Sequence, residues 1–253
     1  MSTQQTFTAT RPGPVALNLP VGHAKTIVDP ALRYARIEVS TTDDSGPAAE
    51  AVHATCSRPT TGALDIAVPQ MPGVRMTQSN SAYNFFGGVQ NTINGITFVN
   101  SQVVNGQVVN GDGTSPITVT AYLPERSTFV FESAAADLEA TGGIEHLATK
   151  TASGAVTAQA VLRLEATSLS GAVQAARVFE SVQADTLSGT ITIDHYAGRA
   201  ARLVSVSGAL DLTAAPTAHG PLHAETVSGA ITLRGTGALD THANSVSGRV
   251  HRL

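Results

Sequence analysis

A Ser-Gly dipeptide recurs six times in the C-terminal part of this chain, at Ser153-Gly154, Ser170-Gly171, Ser188-Gly189, Ser207-Gly208, Ser228-Gly229 and Ser247-Gly248. Successive glycines are 17, 18, 19, 21 and 19 residues apart. A unit this short, carrying strand-like alternation, cannot bury its own apolar face and must stack on copies of itself. The repeat therefore predicts an all-β chain, a β-solenoid or β-helix of stacked Ser-Gly units with a β module ahead of it.

Aligned on the Ser, the third following position is Val156, Val173, Ile191, Leu210, Ile231 and Val250. An unbroken apolar column at one alignment position predicts an interior column. The position before the Ser is also apolar: Ala152, Leu169, Leu187, Val206, Val227 and Val246. It shares strand parity with the Gly and with the interior column, which predicts that it too points inward. Four before the Ser stand Ala166, Ala184, Ala224 and Ala243, out of that phase, so a corner or bulge is expected in between. Two before it, Thr and Ser alternate as Thr151, Ser168, Thr186, Ser205, Thr226 and Ser245. Hydroxyls stacked at strand spacing bond along a ladder, a structural use rather than a nucleophilic one.

Composition suits such a coil. Aromatics are 4%, Trp is absent and charged residues are 13%, so Val, Leu, Ile and Ala must fill the core. A formal charge of −4 with no Lys/Arg cluster argues against nucleic acid as a partner. The single Cys56 allows no intrachain disulfide. Residues Met1 to Arg11 lack a secretory pattern, and no apolar run reaches the roughly 20 residues of a membrane span. A cytoplasmic protein without membrane insertion is expected, with leaderless export as the alternative.

Three segments are distinguished. Residues 1–79 read as a β module with strand patterns at Val15–Leu19, Arg36–Val39 and Leu64–Val68, and one helix around Ala48 to Cys56. Residues 80–114 form an Asn/Gly-rich insert in which Gln102-Val-Val-Asn-Gly106 is repeated as Gln107-Val-Val-Asn-Gly111. Asn105-Gly106 and Asn110-Gly111 between valines predict a hairpin or an irregular rung whose edge could associate. Residues 115–253 form the coil, continuous with the N-terminal module.

The Val-Ser-Gly-x-Ile-x-Leu units, together with the stretch from Gly13 to Gly22, resemble the DUF4097 family of adhesin-like β-repeat proteins of bacteria, actinobacteria especially. The resemblance covers residues 10–70 and 115–253. It implies a non-enzymatic structural or interaction protein. The Asn/Gly-rich insert and the want of an export signal or anchor depart from it.

No nucleophile elbow, phosphate loop or zinc signature is present, and no catalytic residue or cofactor is assigned. His53 beside Cys56 has no activating context. Asp185, Asp194, Asp211, Glu225 and Asp240 occupy no single column, as paired acid/base carboxylates would. His223 and His242 share a column five before the Ser and, with His219, are the metal or pH-sensor candidates. In the last repeat Arg252 stands where earlier repeats have Ile193, Leu212 and Leu233. Arg249, Val250 and Arg252 are accordingly the candidate contacts of a coil end through which the protein self-associates or meets another protein. A carbohydrate-binding or carbohydrate-cleaving β-helix is the alternative, with glycan as the partner.

Overall fold

The computed structural model describes residues 2–60, 63–71, 92–93, 96–97 and 116–253. Asn105, Gly106, Asn110 and Gly111 lie outside them. Period-2 alternation in the first segment produces β1 (Thr3–Thr8), β2 (Val15–Asn18), β3 (His23–Val28) and β4 (Arg36–Thr41). Helix α1 (Pro47–His53) follows, then β5 (Cys56–Thr60) and β6 (Ala63–Ala67). Within the insert, β7 (Thr92–Ile93) and β8 (Ile96–Thr97) form a separate antiparallel pair. Next come β9 (Thr118–Leu123), β10 (Thr128–Ser133), β11 (Asp137–Thr151), β12 (Val156–Ser168) and β13 (Val173–Ala175). The coil continues through β14 (Val178–Thr186), β15 (Ile191–Tyr196), β16 (Ala200–Ser205), β17 (Leu210–Ala214) and β18 (Gly220–Thr226). It closes with β19 (Ile231–Arg234), β20 (Leu239–Ser245) and β21 (Val250–Arg252).

The helix is shorter than the sequence predicts. Thr55 donates its hydroxyl to the Ala51 carbonyl at 2.9 Å, closing the last turn, and Cys56 already pairs with Ala67 as a strand residue. Proline at the helix start costs no hydrogen bond, which is why Pro47 opens it.

The strands wind into a β-solenoid of about seven turns with two faces. One face runs β1, β4, β9, β3, the first half of β11 and of β12, then β13, β15, β17, β19 and β21. The other runs β5, β6, β2, β10, the second halves of β11 and β12, then β14, β16, β18 and β20. From β9 and β6 onward every ladder is parallel. The antiparallel pairs of the solenoid among the described residues are β1–β4, β4–β9 and β5–β6, and α1 buries Ala48, Ala49, Ala51 and Val52 at that end.

The interior is a set of columns. Val156, Val173, Ile191, Leu210 and Ile231 are all within 1% of full burial, as the alignment predicts. Phe129, Phe131 and Tyr196, each fully buried, fill the wider places.

Each Ser-Gly corner is built by hydroxyls that point inward. Ser168, Ser205, Thr226 and Ser245 each accept from the N–H of the glycine three residues on, at 2.8, 2.8, 3.1 and 2.9 Å. Thr151 and Thr186 donate to Ser168 and Ser205 of the next rung at 3.1 and 3.0 Å. The glycines stack so closely that a Cβ on Gly171, Gly189, Gly208, Gly229 or Gly248 would overlap the carbonyl oxygen of the glycine one rung earlier. That close approach is the reason for the invariance of the dipeptide within this chain.

One expected column is reversed. Leu187, Val206, Val227 and Val246 are 51%, 43%, 48% and 76% exposed, and Leu169 is half-buried; Ala152 alone is inside. The chain bends between the residue two before the Ser and the Gly, so both of those point inward while the two residues between them, the aliphatic one and the Ser, are thrown out. Parity across the Ser-Gly step is lost, and the positions four and two before the Ser share the interior instead.

Candidate functional site

Three surface features follow from this geometry. The first is the ridge just described, in which Leu169, Leu187, Val206, Val227 and Val246 project from one corner on five successive rungs. The adjoining serines do not compete for a ligand, because their hydroxyls are tied back to the rung before. Ser170, Ser188, Ser207 and Ser247 donate to the carbonyls of Ala152, Leu169, Leu187 and Val227 at 3.1, 3.2, 3.3 and 3.2 Å. The backbone N–H groups of Leu187, Val206, Val227 and Val246 are likewise bonded to the preceding rung.

The second is the rung formed by β20 and β21. Arg252 pairs in register with Leu233, and Thr241 with Leu222, so two interior columns change from leucine to polar residues there. Arg249, Val250 and Arg252 are all exposed, Val250 by 38%. Leu253 is 75% exposed.

The third is the histidine column. His223 and His242 are directly in register, their rings 5.8 Å apart and inclined by 50°. Glu225 approaches His242 Nε2 at 3.9 Å, and Arg202 is the register neighbour of His223 on the other side. His219 is not part of this group; it precedes β18 and bonds through Nδ1 to the Thr217 carbonyl at 3.1 Å. No cluster of three or more His, Cys, Asp or Glu groups suited to a metal ion occurs among the described residues.

The profile of Toastrack DUF4097 matches residues 74–252, the greater part of the chain. The chain belongs to this Toastrack family. Two crystal structures are similar in trace, both of candidate adhesins. That from Parabacteroides merdae is 10% identical, with a TM-score of 0.48 over 100% of this chain and 96% of its own. That from Parabacteroides distasonis is 9% identical, with a TM-score of 0.40 over 100% and 97%. No curated protein matches the sequence.

On the second face of the Toastrack coil lies a shallow groove of about 230 Å³, floored by Val130 and Ala148. Its rim carries Glu132, Lys150, Glu165, Gln183 and Asp185. No aromatic ring lines it. Glu165 lies 3.4 Å from His146 Nε2, and Gln183 donates to Asp185 at 3.3 Å.

Elsewhere carboxylates pair with bases across rungs. Glu180 lies between Arg163 and Arg199 at 3.4 and 3.0 Å, Glu145 meets Arg163 at 3.2 Å, and Asp211 meets Arg234 at 2.5 Å. Asp185 and Glu225 share one column with Val204 on the rung between them, and Asp211 lies in another, so no two of these carboxylates are register neighbours. Cys56 is exposed on β5, where its thiol approaches the Ala67 carbonyl, and His53 ends α1. No helix among the described residues is long and apolar enough to cross a membrane.

Sequence reasoning missed the ridge. The signal available was the Ser-Gly step itself: a dipeptide that forces a tight bend also suspends the alternation used to assign sides.

Proposed function

We propose that this Toastrack protein is a non-enzymatic interaction scaffold that self-associates through the C-terminal end of its coil. The carrying observation is the composition of the β20/β21 rung. Its interior columns hold Thr241 and Arg252 in place of leucines, while Val250 and Leu253 are exposed around them. A mixed apolar and cationic rung suits a reversible contact with a protein surface better than a continuing core. The scaffold reading is supported by the carboxylates Glu145, Glu180 and Asp211, each engaged with an arginine on a neighbouring rung, whereas acid/base catalysis needs convergent ones.

The test is mass by light scattering after size exclusion over a concentration series, on the wild type and on Arg252→Glu and Val250→Asp. The expected result is a wild-type mass that rises with concentration and a lower mass for both variants. A wild type that stays monomeric throughout would overturn the reading.

The groove over Val130 and Ala148 supports a second reading, a site for glycan hydroxyls met by Lys150, Glu165, Gln183 and Asp185. Soluble oligosaccharides titrated calorimetrically against the wild type and Lys150→Ala test it. Heat that is lost in the variant would favour it, and no heat with either protein would remove it.

A further inference from the structure

The corner ridge is a surface that neither the family match nor the coil-end reading explains. Leu169, Leu187, Val206, Val227 and Val246 lie one per rung, so they repeat at about 4.8 Å and span about 19 Å. On its C-terminal side run the serine column beginning at Ser170 and the column beginning at Ala172, exposed and without charge as far as Ala230; on its other side lies the column of Thr167, Asp185, Val204, Glu225 and Asn244, with a carboxylate on two of its rungs. Large apolar side chains aligned in a row on an uncharged strip mark an interaction surface rather than the ordinary scatter of exposed valines.

Two observations identify the occupant. The first is charge: from the ridge to the Ala172 column no acidic or basic group stands along four rungs, so this part of the surface is matched by another neutral strip, while the carboxylates of Asp185 and Glu225 lie on the opposite flank. The second is period. Side chains on one face of an extended peptide repeat at roughly 6.6 Å. A helix presents one turn per 5.4 Å and drifts by about half a rung over this length. A second stacked ladder repeats at the same spacing as the first, and another copy of this chain supplies one that is also uncharged.

We infer that two copies meet laterally, ridge against ridge, about a two-fold axis that passes close to Val206. Val206 is the third of the five residues, so it faces its own counterpart whether the two coils run parallel or antiparallel. Covering the strip leaves few polar atoms stranded, because the serine hydroxyls and the ridge N–H groups already have partners within the coil. Five side chains per copy fall short of the roughly 800 Å² per partner of a stable dimer. The lateral contact is therefore weak by itself, and it holds when copies are concentrated or already joined through their ends.

Single-cysteine cross-linking tests this in the full chain. Cys56→Ser combined with Val206→Cys is oxidised at high micromolar concentration beside Cys56→Ser combined with Gln174→Cys, an exposed position away from the ridge. The expected result is a disulfide-linked dimer for the first protein and little for the second. Adding Leu187→Glu and Val227→Glu to the first should abolish the dimer at an unchanged thermal midpoint. Equal dimer from both positions, or none from Val206→Cys, would overturn the inference. The two proposals fail separately. Association lost in Arg252→Glu but without a Val206 cross-link sinks the ridge contact alone, whereas a Val206 cross-link that survives Arg252→Glu supports it without help from the coil end.

Discussion

The hydroxyl of Ser205 accepts two hydrogen bonds inside the coil, from Thr186 Oγ1 on the rung before at 3.0 Å and from its own corner's Gly208 N–H at 2.8 Å. Ser205 is 2% exposed and Thr186 6%. The pair joins two rungs and fixes one corner with a single buried oxygen. The alternation of Thr and Ser along the column puts a donor Thr beside an acceptor Ser at two places, Thr151 with Ser168 and Thr186 with Ser205.

Ser205→Ala leaves the Gly208 N–H without its acceptor in a place closed to water. The expected loss is about 1–3 kcal/mol, read from the midpoint of urea unfolding. A variant as stable as the wild type would mean that water reaches the corner.

Gly208→Ala puts a methyl group where the Gly189 carbonyl already lies, a backbone atom that cannot yield without moving a rung. Destabilisation above about 4 kcal/mol is expected, in the range of the most damaging single substitutions. Gly237→Ala is the control, since a Cβ there meets nothing within 4 Å. Its unfolding midpoint should match the wild type.

The inside and outside of the coil are separable by substitution. Leu203, fully buried, should cost about 2–5 kcal/mol when changed to Ala. Leu187→Ser, at a site 51% exposed, should stay within about 0.5 kcal/mol when measured at a concentration low enough to prevent association. Comparable losses at both positions would restore Leu187 to the core.

Tyr196 is fully buried, and burial pushes its phenol from 10.0 up to about 12, the Ala200 backbone acting weakly in the opposite direction. The unfolded chain ionises this group near pH 10 and the folded chain resists doing so. Its contribution is therefore intact below pH 10 and is lost as the pH rises toward 12, by about 2–3 kcal/mol in all. Tyr196→Phe should flatten the decline in stability over that window, followed by chemical unfolding at several pH values. An unchanged slope would refute the assignment.

Much of the coil was legible in the sequence because stacking imposes one residue type per position. The columns at Ile191, at Gly208 and at Ser205 each answer to a single local demand: an apolar interior, a carbonyl one rung away, an orphan N–H. Strands β2, β4 and β6 were legible for the same reason, as alternating runs between turn residues. Strands β1, β3 and β5 were not. Thr3–Thr8 and His23–Val28 mix polar residues on both sides, and Cys56 read as helical until its pairing with Ala67 is known.

The candidate surfaces divide along the same line. The register of His223 with His242 and of Arg252 with Leu233 followed from repeat spacing, and the sequence alone determined it together with the solenoid and its glycine ladder. Only the tertiary structure decided which side the Leu187 column takes. An aliphatic side chain carries no label for inside or outside, and the bend at Ser-Gly breaks the alternation that would otherwise assign it. Closure of the rung draws the Thr186 hydroxyl and Gly189 inward, and the leucine between them is turned to solvent.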